Sequence, residues 1–217
     1  MVLKVDGVGK SFGEVDVLQD VSFEILAKES LAIMGPSGCG KSTLLHILGT
    51  LDEPTVGRVE IGGQDPFAFS ESDLAKFRNK KIGFVFQDHY LLPQYSVLEN
   101  VLIPTLAFGG ASLEDEARVL IERVGLGHRI NHRPAALSGG ERQRTAVARA
   151  LIHKPSVLLC DEPTGSLDGV RAEEVADLLF ELHVEVGNIL IGVTHSVALA
   201  ARFARRFELR EGTCVEV

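Results

Sequence analysis

A chain of 217 residues is long enough for one well-buried α/β domain, and its 22 Lys and Arg against 30 Asp and Glu leave a net charge of −8. That balance argues against general nucleic-acid binding, which needs basic surface to displace counterions. Three cysteines at unrelated spacings form neither a disulfide framework nor a zinc pattern, no apolar stretch approaches the ~18 residues of a membrane span, and the N-terminus does not read as a signal peptide, so a reduced cytosolic setting is expected.

Residues up to about 65 carry an antiparallel β pattern, in Leu3-Lys4-Val5, the alternating Val21, Phe23 and Ile25, and Arg58-Val59-Glu60-Ile61. Within this region the apolar run Leu31-Ala32-Ile33-Met34 leads into Gly35-Pro36-Ser37-Gly38-Cys39-Gly40-Lys41-Ser42-Thr43, followed by the helical pattern of Leu44, Leu45, Ile47 and Leu48. Strand, glycine-rich loop and helix in this order make a phosphate-binding loop. Its glycines let backbone N–H groups turn inward around phosphate oxygens, and the helix N-terminus adds the positive end of a dipole. Lys41 supplies a point charge, and the Ser42 hydroxyl is suited to ligate Mg²⁺.

Ile82-Gly83-Phe84-Val85-Phe86 reads as a strand closed by Gln87. Residues of about 88 to 140 have helical patterns, Val97 to Ile103 and Leu113 to Val124, and few strand signals. Leu137-Ser138-Gly139-Gly140-Glu141 then opens a helical run through Ala146, Val147, Ala150 and Leu151. Ser138 and Glu141 have the spacing of a capping box, and the two glycines clear side chains from the approach to bare N–H donors, so this is a second phosphate site. From 141 onward strands alternate with helices, as a parallel sheet requires. Val157-Leu158-Leu159-Cys160-Asp161-Glu162 is a short buried-type strand ending in two carboxylates, and Ile189-Leu190-Ile191-Gly192-Val193 is another, running on to His195.

These motifs, in this order, resemble the nucleotide-binding subunits of ATP-binding-cassette (ABC) transporters over essentially the whole chain. The resemblance implies a fold class of α/β, with a P-loop NTPase core on a mixed and mainly parallel sheet, an antiparallel β subdomain and an inserted helical subdomain. The chain is expected to be one ABC domain, with core and antiparallel region in 1–87 and 141–217 and the helical signature subdomain in 88–140. The implied catalytic set is Glu162 as general base, His195 as the switch histidine at the γ-phosphate, Gln87 as the Q-loop glutamine, and Lys41. Asp161 is expected to hold Mg²⁺ with Ser42 and Gln87, and Phe12 falls where the family stacks an aromatic on adenine. Leu137 to Glu141 match the signature, and Ser166-Leu167-Asp168 match the D-loop. Two departures stand out: Phe12 where Tyr is usual, and Ser196 after His195 where many relatives have Asp.

One phosphate loop and one signature per chain imply a homodimer around two ATP, paired head to tail so that Ser138 of one chain closes over the phosphate held by Lys41 of the other. The implied partner is an integral membrane subunit, and the chain is expected at the cytoplasmic face of the inner membrane as a peripheral protein. Gln87-Asp88-His89-Tyr90-Leu91-Leu92-Pro93, Ser96 to Val101 and Asn131-His132-Arg133-Pro134 are most similar to the lipoprotein-releasing and macrolide-exporter group. The alternative is a non-transport ATPase that signals through a membrane partner, of the cell-division or peptide-antibiotic-sensing type. Between Thr43 and Ser138 there is no heptad-bearing coiled coil, which sets aside chromosome-maintenance and DNA-repair ATPases. Tyr90-Leu91-Leu92-Pro93-Gln94-Tyr95 leaves two readings open: packing within the helical subdomain's own core, or an apolar cleft that receives a short helix of the membrane subunit.

Overall fold

The computed structural model describes residues 1–109 and 111–217. The chain begins with the long strands β1 (Val2–Phe12) and β2 (Val15–Leu26), whose burial alternates along much of their length. They pair antiparallel, Val2 opposite Leu26 and Phe12 opposite Val15. Strand β3 (Ser30–Met34) then leads to helix α1 (Lys41–Leu48), strand β4 (Val56–Ile61), helix α2 (Glu71–Lys81) and strand β5 (Ile82–Val85). Helices α3 (Val97–Leu102), α4 (Glu114–Arg123) and α5 (Gly139–Leu151) follow. The chain closes with β6 (Val157–Asp161), α6 (Gly169–Val186), β7 (Ile189–Val193), α7 (Val197–Ala200), β8 (Arg205–Arg210) and β9 (Thr213–Glu216).

The strands form two sheets. One is antiparallel and three-stranded in the order β2-β1-β4. The other has six strands in the order β5-β6-β7-β3-β8-β9, parallel throughout except for the β8–β9 hairpin. Strands β3, β6 and β7 are apolar at nearly every position because the parallel sheet is covered on both faces. One layer of core joins it to the antiparallel sheet and α1, through residues such as Leu3, Ile25, Leu45, Val59 and Phe207. The opposite layer packs helices α3 to α6 on the sheet, through Val101, Ile121, Val147, Leu158 and Leu179.

Two elements carry no signal in the sequence pattern. Helix α2 buries no residue completely, so it has no apolar period to reveal it. It is held by its ends: Ser70 caps the Asp73 N–H, Glu71 and Asp73 lie in the first turn, and Arg78, Lys80 and Lys81 in the last. Strand β9 is short and largely exposed, and becomes a strand by pairing with β8, Phe207 opposite Glu216. Among the described residues no helix is long and apolar enough to cross a membrane.

Candidate nucleotide-binding site

The register of the parallel sheet assembles the site. Ile33, Val193 and Asp161 lie side by side on β3, β7 and β6, and Val85 on β5 pairs with Cys160. The residues just beyond these ends are the phosphate loop, Thr194-His195, Glu162 and Phe86-Gln87. All therefore emerge along the carboxyl edge of one sheet, where ligands of such folds bind. A cavity of about 570 Å³ opens there, lined among others by Gly35, Lys41, Ser42, Gln87, Glu162 and His195, and also by Ser37, Gly38, Gly40, Thr43 and Asp161 of the expected set.

The loop folds this way because two of its glycines are irreplaceable. Gly35 has φ of 150° and abuts the sheet so closely that a Cβ would lie 2.4 Å from the Leu209 carbonyl oxygen. Gly40 occupies the N-cap of α1 with φ of 101°, and a Cβ there would press on Val17 at 2.9 Å. No side chain caps α1, so its first N–H groups are free to bind an anion. The Lys41 ammonium bends back over the loop and donates to the carbonyls of Gly35 (2.9 Å) and Pro36 (2.7 Å).

Opposite the loop stand the carboxylates. Burial pushes the Asp161 carboxyl up from its ordinary range, opposed by a hydrogen bond from Ser42 and by the nearby charges of His46 and Lys41. The Glu162 backbone sits at φ of 46°, a left-handed conformation that costs a non-glycine residue about 1–3 kcal/mol and recurs at functional sites. Its carboxylate is held by three donors: His195 Nδ1 at 2.7 Å and the His195 N–H at 2.9 Å on Oε1, and the Thr194 hydroxyl at 3.1 Å on Oε2. Gln87 stands near it, its side-chain nitrogen 3.4 Å from where a Cβ on Gly165 would lie. Among the described residues no group of three or more His, Cys, Asp or Glu side chains forms a metal cluster. A hydroxyl, a neutral amide and one carboxylate suit Mg²⁺, which is held by few side chains and substrate phosphates.

The signature lies outside this cavity. Ser138 caps α5 through a complete capping box: its hydroxyl accepts the Glu141 N–H at 3.3 Å and its own N–H donates to Glu141 Oε2 at 2.7 Å. Leu137 is buried, Gly139 faces Leu167 of the D-loop segment, and Gly140 faces Arg171. Arg129 Nε donates to Glu141 Oε1 at 3.0 Å. The Ser138 N–H, then its hydroxyl and Arg129, overcome burial and hold the Glu141 carboxyl down at about 2. A pKa below the unfolded value stabilises the fold above about pH 4.5, and that contribution fades as pH falls toward 2. Glu141→Ala should cost about 1 kcal/mol in urea unfolding at pH 7, the scale of a lost cap. The gap should narrow as the pH is lowered from about 6 toward 3.5; a constant gap would refute this account of the cap.

Several expected site residues stand apart from the cavity. Phe12 ends β1 with 53% of its surface exposed, under the Lys10 ammonium at 4.9 Å from the ring centre. Pro36 does not line the cavity, and Cys39 packs against the core layer beneath the loop. Ser166 is exposed, while Asp168 caps α6 by accepting the Arg171 N–H. Ser196 caps α7 by accepting the Leu199 N–H, the task an aspartate there would perform. Sequence reasoning passed over Val17, which lines the cavity, and Thr194, which holds Glu162. Only the place of Thr194, between an apolar strand and His195, hinted at it.

Known proteins agree with this geometry. The family model described as ABC transporter matches residues 18–165. The lipoprotein-releasing system ATP-binding protein LolD 1 of Rhodopirellula baltica is 53% identical over 220 residues, covering 99% of this chain and 96% of its own. LolD of Shewanella oneidensis is 48% identical, covering 98% and 95%. Among solved structures, a dimeric ATP-binding cassette in a post-hydrolysis state with ADP and Pi superposes with a TM-score of 0.87 at 38% identity, covering 97% of this chain and 95% of that one. The cbiO1 subunit of the cbiONQ transporter complex of Clostridium perfringens gives 0.88 at 29% identity, covering 98% and 86%. Its two phosphate-binding motifs, its fold and its full-length relatives together make this chain a member of the ABC transporter family, an ATP-binding subunit that hydrolyses ATP.

Proposed function

We propose that the chain powers a lipoprotein-releasing ABC transporter, working as a head-to-tail homodimer on the cytoplasmic face of the inner membrane. The full-length lipoprotein-releasing relatives support the cargo, and the observation that carries the pairing is the separation of two phosphate sites on one chain. The loop, Asp161, Glu162 and His195 share one cavity, while the capped N-terminus of α5 lies outside it. A second copy must bring its signature to the first copy's nucleotide. ATP then binds the closed pair far better than the open chains, as a population-shifting ligand requires. On this reading 88–140 is a helical subdomain that carries the signature toward the partner's cavity, against a core of 1–87 and 141–217.

In the proposed reaction the loop N–H groups, the α1 N-terminus and Lys41 hold the phosphates, and Phe12 offers its exposed ring to the adenine. Ser42, Asp161 and Gln87 would hold Mg²⁺, which would supply charge neutralisation to the phosphates. Glu162 turns from His195 to take the proton of the attacking water as the bond to the γ-phosphate breaks, giving ADP and phosphate. That turn releases the His195 ring to contact the γ-phosphate while the water attacks. The Ser138 hydroxyl and glycine N–H groups of the other chain, beside its D-loop, close the site.

The membrane subunit is proposed to dock in a second cavity of about 520 Å³, lined by Phe84, Phe86, Tyr90, Ile103, Pro104 and Phe108. Tyr90, Leu92 and Tyr95 are exposed and Leu91 is half-buried, so this stretch lies on the surface and not in a core. Asn100 fixes it, accepting the Leu92 N–H at 2.8 Å and donating to the Leu92, Tyr95 and Ser96 carbonyls. An aromatic-lined groove of this kind anchors an amphipathic helix. Tyr90→Asp and Phe108→Asp, at exposed side chains that line this cavity, should stay folded and bind ATP, yet fail to retain the membrane subunit in detergent pull-down and to support lipoprotein release from spheroplasts. Full retention by both folded variants would place docking elsewhere.

A further inference from the structure

Helix α5 does more than present the signature. Its side chains make four hydrogen-bonding contacts to the segment Phe86–Tyr90, which contains Gln87. Gln143 is buried; its Nε2 donates to the Phe86 carbonyl at 3.4 Å and its Oε1 accepts from His89 Nδ1. Arg149 spans two carbonyls, Nη2 donating to His89 at 2.5 Å and Nη1 to Tyr90 at 2.6 Å. Burial desolvates the Arg149 guanidinium, and these two carbonyls are what it binds.

The segment they hold is strained. His89 and Tyr90 are consecutive non-glycine residues in the left-handed region, with φ of 60° and 46°. Such a pair persists only where its surroundings over-determine it. The same five residues touch three places: Gln87 lines the nucleotide cavity, Phe86 and Tyr90 line the apolar groove, and the helix they are tied to is the one that Ser138 caps. The groove itself includes Arg149, so the clamp forms part of its wall.

We propose that Gln143 and Arg149 are positioning residues that clamp Phe86–Tyr90 to α5, so that a displacement of Gln87 at the nucleotide moves the signature and the groove as one rigid body. This rests on the head-to-tail closure proposed above. The guanidinium fork holds both carbonyls from one rigid plane, with less side-chain freedom lost per hydrogen bond than an ammonium on a flexible stem would lose. Gln143 meets a donor and an acceptor of the segment with one rigid amide. The clamp differs from a merely structural contact in what its loss disturbs: coupling between segment and signature, with nucleotide binding at the phosphate loop spared.

The test uses Arg149→Lys and Gln143→Leu, with His89→Ala as a milder variant that removes a single contact, each also made in a Glu162→Gln parent. In the nucleotide-free protein, amide exchange across 86–92 should quicken at least about tenfold in Arg149→Lys, with the phosphate-loop amides unchanged. ATP affinity of the monomer should stay within about threefold, while ATP-dependent dimerisation of the Glu162→Gln variants weakens at least about tenfold. Unchanged exchange at 86–92 overturns the clamp. So does an equal loss of nucleotide affinity and dimerisation, which would report general loosening of the fold. A parent that dimerises with ATP beside variants that dimerise as well removes the clamp alone; a parent that stays monomeric removes the shared closure and the clamp with it.

Discussion

Glu162→Gln will bind MgATP as the parent does, turn over at least about 10²-fold more slowly, and collect as an ATP-bound dimer on sizing chromatography. The amide keeps the size of the side chain and one acceptor for the Thr194 hydroxyl or His195 N–H, so the strained turn at Glu162 should survive. What it loses is the capacity to take a proton from water. The phosphate loop lies across the cavity and is untouched, so binding and closure proceed while the step that reopens the dimer stalls. His195 also loses its carboxylate partner at 2.7 Å. His195→Ala therefore serves as the control: if slow turnover of Glu162→Gln came only from a misplaced histidine, the two variants would be equally slow. A monomeric Glu162→Gln that still hydrolyses ATP would end the assignment of Glu162 as base.

The second large effect separates the two phosphate sites. Ser138→Asp keeps an acceptor for the Glu141 N–H at the start of α5, while giving up the hydroxyl's hydrogen bond to the Glu141 carboxylate. It nevertheless puts a carboxylate where the partner's γ-phosphate is proposed to arrive. Thermal stability and monomer ATP affinity should change little, while dimerisation disappears and turnover falls by about 10²-fold or more, the scale of a lost preorganised donor. Lys41→Ala should lose nucleotide binding itself, since its ammonium is the loop's own cation, held over it by the Gly35 and Pro36 carbonyls. Mixed together, the two inactive chains can form a heterodimer with both defects in one composite site and the other site intact. Turnover of the mixture should exceed the sum of its parts. A strictly additive mixture would mean that signature and phosphate loop do not meet across chains.

A phosphate loop is a local object: its glycines, lysine and helix start are contiguous, and their conformations follow from neighbours a few residues away. The capping box of Ser138 and Glu141 is local in the same way, and it formed as its spacing implied. Strands β3, β6 and β7 were visible because burial on both faces demands unbroken apolar runs. Helix α2 was not, because its stability comes from capping and end charges without a buried stripe. The surface position of Tyr90 to Tyr95 was undecidable from apolar composition alone, and depends on the buried Asn100 that fastens the loop from a helix further on.

By itself, then, the sequence determined the apolar strands of the central sheet, the glycine-rich loop before α1 and the capped start of α5, because each is encoded within about ten consecutive residues. The tertiary structure alone decided their distances. Asp161, His195 and Gln87 are far apart in the chain, and they meet at one sheet edge through the pairing of Val193 with both Ile33 and Asp161 and of Val85 with Cys160. It also decided that Cys39 packs beneath the loop, that Thr194 and His195 grip Glu162, and that Gln143 and Arg149 hold a left-handed turn. Those are contacts between segments 30 to 60 residues apart or more, whose energies depend on strand register and burial, and no local pattern of residues carries that information.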